Sequence, residues 1–127
     1  MTELLALRCD PADLESSALQ LEQALNRQAW VQLLPPVGAG RVISSDLLPQ
    51  GSGFVIASGG SSGGRQHCLL PCNHLDQSAW ATGEWLQSQG MELPQCLLLN
   101  PLPLHHVSGL MPWWRSLCWG ATHAWLL

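Results

Sequence analysis

Four apolar residues, Phe54-Val55-Ile56-Ala57, run directly into seven positions filled only by serine and glycine, Ser58-Gly59-Gly60-Ser61-Ser62-Gly63-Gly64. A short β-branched run of this kind reads as a strand buried on both faces, and such a strand needs neighbours on each side. The serine-glycine stretch then gives the backbone a tight turn and a close approach to whatever lies beside it. Successive N–H groups in such a loop form a concavity for anions, and three hydroxyls add further donors. A triphosphate suits that donor set. A flexible linker is the plainer reading of the same composition.

The rest of the chain predicts a layered α/β arrangement. Asp10-Pro11 reads as a helix start, with Leu14, Ala18, Leu21 and Leu25 at helical spacing up to about Arg27. Trp30 to Leu34 reads as a strand closed by Pro35-Pro36, and residues 36 to 53 as loop. His67 to Leu70 reads as a returning strand. Asn73 is placed to cap a helix through about Gln89, with Gly90 as its stop. Cys96 to Leu99 reads as a further strand, Ser108 as the cap of a helix to about Trp119, and Ala124 to Leu127 as the beginning of a strand. Strands alternating with helices favour an α/β sheet.

Composition narrows the function classes. The net charge is −4 and the five basic residues are all Arg, scattered along 127 positions, which argues against nucleic-acid binding. No Lys occurs, so the kinase and GTPase type of phosphate loop, which needs Gly-Lys before Ser or Thr, is excluded. No stretch reaches the roughly 18 apolar residues of a membrane span. The start lacks a basic region followed by an apolar one, and the five Cys form an odd set, so free thiols in a cytoplasmic setting are expected.

Seven Trp, with Trp113, Trp114, Trp119 and Trp125 close to the carboxyl end, suggest that a further layer of protein or a partner covers that region. His67, Cys68, Cys72 and His74 offer metal-ligand types, but Cys-x3-Cys without a second pair is weak. Both cysteines read more simply as small packed hydrophobes. Gly59-Gly60-Ser61-Ser62-Gly63 also satisfies the nucleophile-elbow spacing of a serine hydrolase, with Asp76 and His105 or His106 in order behind it. An elbow needs a helix at once after the serine, whereas Gly63-Gly64 and a strand follow here.

The loop resembles the phosphate-binding signature of the acyl-adenylate-forming (AMP-binding) superfamily, which Ser58-Gly59-Gly60-Ser61-Ser62-Gly63 fits position by position. The family continues with x-Pro-Lys, where this chain has Gly64-Arg65-Gln66, so Arg65 is at best a partial substitute for the lysine. Further on, Leu102-Pro103-Leu104-His105-His106-Val107-Ser108-Gly109-Leu110 resembles the family's Leu-Pro-Leu-Phe-His-x-x-Gly-Leu segment. His106 takes the histidine's position and His105 replaces the aromatic. Arg115-Ser116-Leu117 and Gly120-Ala121 extend the likeness. The short leader before a Gly-Gly-Ser-Ser-Gly loop is similar to that of the o-succinylbenzoate-CoA ligases of menaquinone and phylloquinone synthesis.

The resemblance implies the amino-terminal portion of a large ligase domain, a mixed sheet with flanking helices. Residues 1–52 would be a leader, and 53–127 the phosphate-loop and histidine region of a single partial domain. It implies ATP with Mg²⁺, a small carboxylic acid and CoA as partners. Ser58, Gly59, Gly60, Ser61, Ser62 and Gly63 would hold phosphate, His106 would be catalytic, and His105, His106, Ser108 and Gly109 would line the acid site. The family's later adenine, ribose and lysine segments do not occur, so the chain alone is expected to be inactive. A non-catalytic module that joins a missing carboxyl-terminal portion, or self-associates through the Trp-rich tail, is the competing expectation.

Overall fold

The computed structural model describes residues 2–38, 40–57 and 66–126. Two compact units divide the chain, Met1–Cys72 and Asn73–Leu127.

The first unit is a four-stranded mixed sheet in the order β1-β2-β3-β4, formed by β1 (Leu4–Arg8), β2 (Trp30–Leu34), β3 (Gly53–Ala57) and β4 (His67–Pro71). β1, β2 and β3 run parallel and β4 returns antiparallel to β3, with Ile56 opposite Cys68. The central strand β2 is buried at every position, as its apolar run requires. Helix α1 (Leu14–Asn26) crosses from β1 to β2 and buries Leu14, Ser17, Leu21 and Ala24. Each fully buried leucine of this kind contributes about 1.5–3 kcal/mol.

Among its described residues the β2–β3 connection is irregular apart from a 3-10 turn at Ser45–Leu47, and two side chains of β2 hold it. The Trp30 indole donates to the Pro49 carbonyl at 3.0 Å. Gln32, buried to 2% exposure, donates to the Arg41 carbonyl at 2.7 Å and accepts from the Ile43 amide at 2.9 Å. Trp30, Leu48 and Val55 close a small apolar cluster, with Leu4 and Ile43 packed against it.

The second unit contains most of α2 (Cys72–Ser88), then β5 (Leu97–Asn100), α3 (Val107–Trp119) and β6 (Thr122–Trp125). β5 and β6 pair in parallel through the α3 crossover. Helices α2 and α3 meet closely: the Trp119 indole donates to the Ala79 carbonyl at 3.0 Å, and that of Trp114 to Asp76 Oδ1 at 2.9 Å. At Gly83 an added Cβ would stand 2.8 Å from Trp119 Nε1 and 3.1 Å from Leu93 Cδ1, so this helix position has no room for a side chain. No described helix is long and apolar enough to cross a membrane.

Several boundaries depart from the sequence reading. α1 starts at Leu14 and not behind Pro11, because Asp10 closes a local turn onto the Ala12 amide and Asp13 takes the cap, accepting from Ser16. Asn73 lies inside the first turn of α2, because β4 runs straight into that helix and the Cys72 amide still bonds the Ser52 carbonyl. Ser108 also lies inside its helix; the cap position of α3 is His106, without a side-chain cap bond. β1 is a strand that sequence patterning did not mark. β6 begins at Thr122, ahead of the expected Ala124.

Two expectations about packing are overturned. Trp113, Trp114 and Trp119 are 5–8% exposed, so the tail tryptophans are largely covered by the chain itself. The exposed tryptophans are Trp80 and Trp85 on α2. Cys68 is exposed on the edge strand β4 and does not pack as a small hydrophobe. No disulfide links the cysteines, and among the described residues no three His, Cys, Asp or Glu side chains converge as a metal site.

Candidate functional site

The phosphate-loop residues Ser58, Gly59, Gly60, Ser61, Ser62 and Gly63, together with Gly64 and Arg65, lie outside the described residues. β3 runs up to them and β4 leaves them, so they connect two antiparallel strands. Among the described residues that follow, 66–71 are strand or irregular and the first helix starts at Cys72, eleven positions after Ser61, whereas a nucleophile elbow needs a helix directly behind the serine. Asp76, the acid that such a triad would use, is engaged by the Trp114 indole and the Cys118 thiol. No described histidine hydrogen-bonds Asp76. Burial, followed by that carboxylate, pushes the Cys118 thiol up to about 11, so it is held protonated.

The second motif is fully described, and its residues meet in one short passage from β5 to α3. β5 ends at Asn100, the chain bends at Leu102 between Pro101 and Pro103, and Leu104 is wholly buried. The chain then turns, with the His106 amide on the Pro103 carbonyl at 3.2 Å. The His106 carbonyl accepts from the Gly109 amide at 3.0 Å and the Leu110 amide at 2.9 Å, and so starts α3.

Gly109 is required by this turn. A Cβ there would overlap the Pro103 carbonyl and stand 2.7 Å from the Leu102 oxygen. The glycine of the motif thus lets the first turn of α3 lie directly against the loop that precedes it.

The passage sorts its residues by exposure. Leu104, Gly109 and Leu110 are buried, while His106, Val107 and Ser108 face outward. His105 is half-buried, its ring centroid 4.3 Å from that of His106 at an interplanar angle of 38°. Its buried Nδ1 has no hydrogen-bond partner among the described residues. Desolvation by burial, and secondarily the neighbouring His106, lower the His105 pKa, so this ring is held neutral. A neutral histidine beside an exposed one, at the head of a 13-residue helix, offers hydrogen bonds and a helix N-terminus to a carboxylate.

Two residues that motif reading passed over complete the local structure. Asn100 is fully buried, donates to the Gly109 carbonyl at 2.7 Å and accepts from the Leu102 amide at 3.1 Å. His123 on β6 lies 3.1 Å from Asn100 Nδ2 and meets the Trp125 ring edge-on at 4.4 Å. An asparagine at a strand end before proline was the available signal for Asn100. Nothing around His123 in sequence marks it.

No family model matches the sequence, and no curated protein matches it. Among solved structures, the chain is similar to the apo and ATP-bound crystal structures of MatB from Rhodopseudomonas palustris. The TM-scores are 0.49 and 0.48, each at 17% sequence identity. The match covers 96% of this chain and 25% of the MatB chain, so the sequence spans about a quarter of that protein's length.

Proposed function

We propose that the chain is the amino-terminal part of an ATP-dependent acid-CoA ligase, with o-succinylbenzoate as its acid. The observation that carries this reading is the Leu102–Leu110 segment. It has the spacing of the ligase histidine motif and folds as a strand end, a tight turn and a helix start in which Gly109 admits no side chain. The Ser58–Gly63 motif, earlier in the chain, supports the same reading from sequence.

In the reaction, a carboxylate oxygen attacks the α-phosphorus of ATP. The new O–P bond gives the acyl-adenylate, and pyrophosphate departs as the α–β bridge breaks. CoA thiolate then attacks the acyl carbon and AMP leaves. The chain's own contribution is positioning and charge stabilisation. The Ser58–Gly63 amides and hydroxyls hold phosphate oxygens, and His106 and the first turn of α3 receive the acid's carboxylate. Mg²⁺ would neutralise the phosphates when bound; among the described residues no three His, Cys, Asp or Glu side chains converge to hold it.

The test is acid-dependent exchange of labelled pyrophosphate into ATP by the protein at its native length in its source cells. Exchange with o-succinylbenzoate that drops by about 100-fold or more in His106→Ala is expected. Full exchange in that variant, or none with any carboxylic acid, overturns the reading. The non-catalytic alternative draws on Leu97 and Leu99, which are more than half exposed on β5. A mass that rises with concentration in sedimentation would favour it.

A further inference from the structure

The Asn100 carboxamide, wholly buried at the end of β5, is committed on every side. Its Oδ1 accepts from the Leu102 amide, and its Nδ2 donates to the Gly109 carbonyl and faces His123 Nε2. An amide N–H can only donate and a carbonyl can only accept, so chemistry fixes which way this carboxamide points. Its second Nδ2 hydrogen is therefore aimed at His123 Nε2, which has to accept it. A histidine that accepts at Nε2 is neutral and carries its proton on Nδ1.

Two of the Asn100 partners bracket the loop that carries His105 and His106. Leu102 opens that loop. Gly109 closes it, pressed against the carbonyls of Leu102 and Pro103. We propose that Asn100 and His123 are a positioning pair: His123, held as the Nδ1–H tautomer, orients the Asn100 carboxamide, and that carboxamide sets the path of residues 101–106 and the rings of His105 and His106. The value of this positioning to a reaction rests on the proposed function; the state of His123 does not.

Protonating His123 would set an N–H against an N–H. Rotating the carboxamide to relieve that contact would turn Oδ1 onto the Gly109 carbonyl and Nδ2 onto the Leu102 amide, exchanging one repulsion for two. The elements that pack most closely on β6 are β5, which carries no titratable side chain, and α3, which carries Arg115 and Cys118. The Cys118 thiol is turned to Asp76. Neither element brings a carboxylate to stabilise a charged His123, and burial lowers its pKa accordingly.

Two-bond proton–nitrogen correlation on the full chain, with histidine labelled in ¹⁵N, reads the tautomer directly at about pH 7.5, where an ordinary histidine is mostly neutral. A protonated Nδ1 with a bare Nε2 at His123 is expected, and the opposite tautomer or a mixture overturns the proposal. Asn100→Asp keeps the acceptor for Leu102 but cannot donate to Gly109 or His123. In that variant the titration of His123 should rise by roughly one pH unit, and the ring signals of His105 and His106 should shift. A folded Asn100→Asp chain with His105 and His106 unmoved overturns the positioning role.

If Asn100→Asp does not fold, His123→Gln and His123→Leu replace it. The Gln carbonyl can accept from Asn100 and should keep the His105 and His106 signals in place, whereas Leu should displace them. Identical signals in the two variants overturn the role. Titration with o-succinylbenzoate separates the two ideas. Silence at His105 and His106 would count against the proposed function and leave the tautomer and the coupling standing.

Discussion

Gly109 has no side chain because the Pro103 carbonyl occupies the space that a Cβ would need. The obstacle is backbone, which cannot rotate away as a side-chain tip would, so Gly109→Ala should destabilise the chain by about 3 kcal/mol or more. Urea denaturation checks this, and a wild-type midpoint would show that the loop can move. The histidines give a second prediction. His105 and His123 both titrate below their ordinary 6.5, chiefly because burial disfavours the charged ring. Well above pH 6.5 both are neutral in the folded and the unfolded chain, and their contribution to stability is at its full value. As pH falls below that point the unfolded chain takes up protons that the folded chain refuses, so stability declines until the lowered folded values are passed. Urea midpoints that fall from about pH 7 to 5 would agree, and midpoints flat across that range would contradict it. His105, His106 and Gly109 were legible in the sequence as a spaced motif. Asn100 and His123 were not, because they lie 23 positions apart and only the pairing of β5 with β6 brings them together.

At the scale of elements, apolar runs located β2 and β3 well, because strands buried in a sheet show that burial directly in their residues. Helix starts were less legible. Asp10 and Asp13 are equally good caps by type, and the choice between them follows from where the chain leaves β1. Gly83 shows the same limit. Sequence alone reads a mid-helix glycine as a weakness that alanine would repair by about 1 kcal/mol. Here the Trp119 indole, fixed by its bond to Ala79, lies where the methyl would go. Gly83→Ala should therefore lower stability by about 1–2 kcal/mol despite the better helix propensity. A gain measured by thermal or urea unfolding would mean that α2 and α3 can separate at little cost. The clasp that Gln32 makes on residues 41–43 was likewise invisible to patterning, which counts a polar residue in a strand as an outward one.

For the whole molecule, the proposed ligase reading carries the expectation that these 127 residues alone do not exchange pyrophosphate into ATP, because the adenine, ribose and lysine segments of the adenylate-forming enzymes they resemble do not occur in them. Turnover by the purified chain would refute this and would place the complete chemistry within Met1 to Leu127. Burial also decides what the tryptophans mean. By composition the carboxyl-terminal cluster looked like a surface awaiting a partner, yet Trp114 and Trp119 spend their indole N–H groups on Asp76 and Ala79 of α2. The sequence by itself determined the alternation of strands and helices, the mixed α/β class, and the two glycine-containing motifs, because periodicity, turn chemistry and residue spacing are local properties of a chain. Only the tertiary structure decided which tryptophans are covered, which aspartate caps, and that Asn100 and His123 hold the histidine loop. Those outcomes depend on which distant donors and acceptors become neighbours once the strands pair.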